Sequence, residues 1–191
     1  MVHAEGGAWI TGVGVAGPLG LGWDALCAAL QQPQAAFAAL PETWRAQRGV
    51  PDTVIAPLAT EAGAELARFE TVSTDRACAL ALCAAQQAWA HAGLTPEPST
   101  AEPHARRAVY VGTGMGGLHS TEAAYQRLLV EQAALRPMTV VRIMANAAAA
   151  QLAMTYRLGG PNHTYSVACA SSALALGEAL WALRSGRIDL A

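Results

Sequence analysis

The chain has little charge. Asp, Glu, Lys and Arg make up only 14% of its 191 residues and nearly cancel, to a formal net charge of −2. That balance offers no electrostatic footing for nucleic acid. Long apolar runs are missing as well, since Gln, Glu, His or Arg interrupts each one before the ~18 residues of a membrane-span candidate. The first residues, MVHAEGGAWITG, lack a basic region followed by a separate apolar one, so they do not read as a secretory signal. The four cysteines, Cys27, Cys78, Cys83 and Cys169, form neither a C-x-x-C pair nor a dense framework. Reduced thiols in the cytoplasm are the economical reading. No His/Cys cluster has metal-ligand spacing, so no metal is expected.

What is abundant is small apolar side chain. Hydrophobic residues reach 53% and mean hydropathy is +0.25, with alanine supplying much of the excess. Such a composition implies closely packed helices and a large buried oligomer face. The length suits one domain with a real core.

Patterning predicts strands over 8–15, 107–114 and 163–168, and helices over 22–30, 73–94, 119–136, 141–160 and 171–186. Ser73, Thr74 or Asp75 is placed to start the second helix and Gly93 to close it. Pro33, Pro41, Pro51 and Pro57 break the stretch 31–70, which reads as a surface excursion. The segment 97–106 reads as a polar loop, and RIDLA at 187–191 as the start of a further strand. Strands alternating with helices argue for a layered α/β fold with a parallel or mixed sheet. The chain halts inside an apolar strand, and is therefore expected to be part of a longer protein.

Two glycine-rich stretches follow strands. Gly12-Val-Gly14-Val-Ala-Gly17 matches the dinucleotide fingerprint, but Pro18 follows at once and no acidic strand end appears about 20 residues later. A plain tight turn is the better reading. Gly112-Thr-Gly114-Met-Gly116-Gly117 is either a turn that needs positive φ or a backbone that a ligand approaches closely, with Met115 as a flexible apolar wall.

Cys169 stands at the junction of a strand and a helix, in Ala168-Cys169-Ala170-Ser171-Ser172. Small neighbours leave room for a substrate carbonyl, and a helix start favours a thiolate. A packed structural cysteine at a tight junction explains the same pattern equally well. A nucleophile also needs a proton acceptor, and His3, His91, His104, His119 and His163 include none in a catalytic setting. His91 and His104 read as solvated, and strand alternation keeps His163 from the sulfur. Cys27, Cys78 and Cys83 read as core fillers.

Taken in order, WITGVGVAGPLG (9–20), TDRACALALCAAQQAWAHAGL (74–94), VGTGMGG (111–117), MANAAAAQLAMTYRLGGPN (144–162) and SVACASSALALGEAL (166–180) resemble the N-terminal half of a β-ketoacyl synthase. These are condensing enzymes of the thiolase-like superfamily. The resemblance implies a decarboxylative Claisen condensation in fatty-acid or polyketide biosynthesis, in the cytoplasm, with no cofactor beyond the phosphopantetheine of a carrier protein. Cys169 matches the nucleophile that takes an acyl group from an acyl carrier protein, and its N–H would supply one oxyanion donor. Met115 falls where relatives line the acyl pocket. The Ala-rich helix and the strand HTYSVA fall where they form a homodimer or heterodimer interface. Val167 stands where many relatives carry Thr. The family's two catalytic histidines and second oxyanion donor belong to a C-terminal half not seen here, so the fragment alone is expected to be inactive. A thiolase-type acyltransferase, or a non-catalytic half that only dimerises or docks a carrier, are the alternatives.

Overall fold

A computed structural model of the chain describes residues 7–31, 36–48, 53–96 and 102–191. His3, Pro33, Pro51 and the first half of the 97–106 loop lie outside the described residues.

The centre of the fold is a parallel pair, β5 (Val109–Gly112) and β6 (Asn162–Tyr165), in register Val109↔Asn162 to Gly112↔Tyr165. The segment after the last helix runs beside β5 as well, since the Ala108 N–H donates to Leu190 O at 2.8 Å. The strand expected over 187–191 is therefore a single parallel bridge, Arg107↔Leu190.

Alternation along β5 divides the core into two layers. Val109 and Val111 face one cluster, with Ala149, Tyr156 and Leu158 at its buried heart. Helices α4 (Arg76–His91) and α7 (Ala147–Tyr156) form that side. Ala108 and Tyr110 face the other cluster, with Ala182 and Ile188, under helix α8 (Ser171–Arg184). Alanine lets α4 and α7 lie close together, and Ala79 and Ala149 are fully buried. The Trp89 and Tyr156 rings then meet with centroids 4.5 Å apart. This is the layered α/β arrangement expected.

Ahead of it come a tight hairpin, β1 (Ala16–Gly17) with β2 (Gly20–Leu21), and helix α1 (Trp23–Gln31). A second hairpin, β3 (Ala38–Ala39) with β4 (Val54–Ile55), flanks α2 (Glu42–Arg48), and α3 (Thr60–Leu66) leads to α4.

Several expectations need correcting. Residues 8–15 join no ladder among the described residues. Two of their N–H groups go to α4 instead: the Val13 N–H donates to His91 Nδ1 at 3.1 Å and the Val15 N–H to Gln87 Oε1 at 3.2 Å. A Cβ at Gly12 or Gly14 would strike the carbonyl oxygens of Ala88 and Ala84, so both glycines serve close contact with a helix. His91 is thus a structural acceptor and not simply solvated.

The helix expected over 119–136 is α5 (Leu118–Tyr125) plus a π-turn, Gln126–Val130. It stops when Gln132 turns left-handed (φ 51°) and the Ala133 N–H donates to Arg127 O. The helix expected over 141–160 is broken into α6 (Thr139–Ile143) and α7, with Met144 extended between them. Gly117 lies against this break, where a Cβ would come within 2.6 Å of Ile143 Cα. Cys78 and Cys83 are buried core residues as expected, whereas Cys27 is only partly covered. No described helix is long and apolar enough to cross a membrane, and no described His/Cys/Asp/Glu group has a metal-binding arrangement.

Candidate active site

Cys169 sits in a single 3₁₀ turn, Ala168–Ala170, that joins β6 to α8. Ala168 takes a left-handed conformation (φ 52°), which costs a non-glycine residue about 1–2 kcal/mol. That strain persists because the turn is held from both sides. The Ser171 hydroxyl accepts from the Val167 N–H at 2.9 Å, and its own proton lies within reach of Ala168 O at 2.7 Å and Thr113 O at 3.0 Å. Ser171 itself is 2% exposed. Cys169, by contrast, is exposed.

The second wall is the glycine loop at the end of β5. The Thr113 N–H donates to Tyr165 O at 2.9 Å and the Ser166 hydroxyl to Gly114 O at 3.0 Å. Thr113 Oγ1 accepts from the Gly116 N–H at 3.1 Å, closing the loop on itself. Gly112 carries the strictest requirement. A Cβ there would meet Ser171 C and Ser172 Cα at 2.5 Å, so only glycine lets β5 run under the first turn of α8. Gly116, at φ 71°, makes the turn. The turn reading of this loop holds at Gly116, while the close approach at Gly112 is to the chain's own backbone. Met115 stands at the loop's tip and is 72% exposed.

The structure therefore ties the Met115 loop and the Cys169 turn into one hydrogen-bonded unit at the carboxyl ends of β5 and β6. Backbone from two parallel strands and the start of a helix converge there, the place where open α/β sheets present ligand sites. The histidines do not join it. Among the described residues Cys169 has no hydrogen-bonded histidine, and His163 is packed between Tyr110 and Tyr165 at centroid distances of 5.6 and 6.3 Å. Ser166, Ser171 and Thr113 were not singled out from sequence. The hydroxyls bracketing Cys169 at 166 and 171 were the available signal, but only the fold shows that they reach the glycine loop.

Much of the surrounding surface is apolar. Large apolar side chains left exposed outnumber the buried ones several-fold among the described residues, and they include Val167, Leu174 and Leu176 beside the turn. Soluble monomers seldom expose so much.

Residues 8–191 match the family model described as the β-ketoacyl synthase N-terminal domain. The chain is 34% identical over 182 residues to nodulation protein E of Rhizobium sp. (strain N33), covering 95% of this chain and 44% of that protein. It is 32% identical over 111 residues to 3-oxoacyl-[acyl-carrier-protein] synthase 2 of Rhizobium meliloti (strain 1021), covering 58% of this chain and 26% of that one. Among solved structures, a β-ketoacyl synthase from Burkholderia phymatum STM815 superposes with a TM-score of 0.77 at 26% identity, over 94% of this chain and 44% of its own. The chain spans less than half the length of these relatives.

Proposed function

The chain belongs to the β-ketoacyl synthase family, as its N-terminal domain, and from that premise we propose that it carries the acyl-accepting half of a decarboxylative condensing enzyme. The observation that supports this best is the exposed Cys169 on a strained turn locked to the glycine loop. In this reading the Cys169 sulfur attacks the acyl carbon of a carrier-protein thioester. The new S–C bond replaces the old one, and the carrier's phosphopantetheine thiol leaves with the proton. Malonyl-carrier protein then loses carbon dioxide, and its enolate carbon attacks the acyl carbon on Cys169. The sulfur is released as thiolate, which takes its proton back from solvent, and a β-ketoacyl-carrier protein departs. The Cys169 N–H serves as one oxyanion donor, and Met115 lines the path of the acyl chain.

Decarboxylation requires donors to the malonyl carbonyl. Cys169 has no hydrogen-bonded histidine among the described residues, and this reading expects no β-ketoacyl product from the chain by itself; measurable product from the chain alone would count against it. Two copies, or one copy and a related subunit, are proposed to associate through β6, whose outer edge pairs with nothing among the described residues. Sedimentation velocity tests that association. A cytoplasmic setting is proposed with it, in keeping with four free thiols.

The assay is turnover of the whole protein with acyl-carrier protein and either malonyl or acetyl thioester. Dependence on malonyl thioester, abolished in Cys169→Ala, is expected. Condensation from acetyl thioester alone would instead indicate thiolase chemistry, and no condensation at all a non-catalytic docking half.

A further inference from the structure

Away from Cys169, a cavity of about 350 Å³ opens between α5, its π-turn and the stretch 131–142. That volume is at the lower end of small-ligand sites. Its wall is unusually cationic for this chain: Arg127, Arg136 and Arg142 line it with His119, against the single carboxylate of Glu131. Two polar atoms among its lining residues are buried with no hydrogen-bond partner, Ser120 Oγ and Arg142 Nε. Ser120 is only 5% exposed. A buried donor left unpaired is costly, and such a site calls for a water or ion to complete it.

Two nearby acids already have partners: Asp75 accepts the Ala77 and Ser120 N–H groups, each at 2.8 Å, and Glu131 lies 3.9 Å from Arg127. Arg127 spends its Nε on Ala134 O at 2.6 Å, which fixes the turn that closes the cavity. Among the described residues neither the Arg136 nor the Arg142 side chain has an ion pair, and Arg142 Nε has no hydrogen-bond partner, which leaves guanidinium donors for a ligand. A site of this make-up favours a compact oxyanion with several acceptor oxygens. From it we infer that this cavity binds a phosphate-class anion, either free phosphate or the end group of a phosphate monoester, at a site separate from Cys169. The inference does not depend on the condensing activity. It does have a structural link to the glycine loop, because the Arg142 carbonyl abuts Gly117.

The test is thermal melting and titration calorimetry of the chain with sodium phosphate and with glycerol phosphate, at ionic strength matched by chloride. A saturable rise in melting temperature is expected, since a ligand of the folded state stabilises it by mass action. Arg136→Met and Arg142→Met should each weaken binding by about tenfold or more, the loss of hydrogen bonds to a charged group, and Ser120→Ala by less. Arg136 is on the surface, so its variant decides the matter even where Arg142→Met folds poorly. Tighter binding of glycerol phosphate points to an esterified ligand, and tighter binding of phosphate to the free ion; either supports the site. Stabilisation that never saturates, or that persists unchanged in Arg136→Met, would overturn it, because phosphate also stabilises proteins by surface exclusion.

Discussion

Replacing Gly112 by Ala adds one methyl group where the chain has no room for it. The new Cβ would stand 2.5 Å from Ser171 C and Ser172 Cα, against the ~3.5–4.0 Å of ordinary carbon contact. Both obstacles are backbone atoms in the first turn of α8, so no rotamer change relieves the overlap. Strand and helix must separate by about 1 Å, and the 3.0 Å bond from Ser171 Oγ to Thr113 O then falls outside hydrogen-bond range. Overpacking costs about 1–3 kcal/mol and the lost bond about 1, giving roughly 2–4 kcal/mol. For a chain of this size that lowers the melting temperature by about 10 °C. The same methyl at Gly177, further along α8, meets nothing within 4 Å. Gly177→Ala should stabilise by about 0.5–1 kcal/mol, because an alanine in a helix interior orders fewer backbone states than a glycine. Melting followed by circular dichroism, with the alkylation rate of Cys169 as a second readout, separates the two. Gly112→Ala should melt early and alter Cys169 reactivity, while Gly177→Ala should melt late and leave it unchanged. Equal melting of Gly112→Ala and the parent chain would refute the claim that this glycine positions the Cys169 turn.

Asp75 is 2% exposed and satisfies two N–H groups on different helices, so Asp75→Ala should cost about 2–4 kcal/mol in urea unfolding, and Asp75→Asn less. Iodoacetamide followed by peptide mass spectrometry should label Cys169 in the native chain well before Cys78 and Cys83, which are buried and react only on unfolding. Burial also pushes the Cys78 and Cys83 thiols up, so between the unfolded value near pH 8.5 and their raised folded values the folded state holds more protons. Stability should therefore fall as pH rises through that window, and Cys78→Ala with Cys83→Ala should flatten the alkaline limb. The Arg106 guanidinium, bonded at 2.7 Å, holds the Asp189 carboxyl below the usual carboxylate range. That small contribution is present above about pH 4 and is lost on further acidification. Asp189→Asn should remove the acid dependence, and salt should weaken it in the parent chain.

The chemistry-bearing junction was legible because it rests on local pattern. A β-rich run ending in small residues and passing into a helical period places Cys169 at a strand–helix turn, and the glycine spacing at 112–117 marks a loop on a strand end. Cap chemistry was equally readable: Asp75 accepts the Ala77 N–H as an N-cap, and Gly93 closes α4 at φ 69°. What failed was anything decided by contact at long range. Residues 8–15 have strand composition, yet their N–H groups go to side chains of α4 across more than 70 residues of sequence. The apolar period over 141–160 runs straight through Met144, but the helix breaks there because Gly117 and its loop occupy the adjoining space. The cationic cavity was invisible for the same reason, since Ser120, Arg136 and Arg142 look like ordinary helix-surface residues until the π-turn folds them together.

Cys169 has its proposed role only if it accepts an acyl group. The direct measurement is intact-protein mass spectrometry after incubation with an acyl-carrier thioester, followed by peptide mapping, for the whole protein and its Cys169→Ala variant. A single added acyl mass located on Cys169, and absent from the variant, is the predicted result. An unmodified protein, or acylation that persists in Cys169→Ala, would contradict the assignment of this turn as the acyl-accepting site.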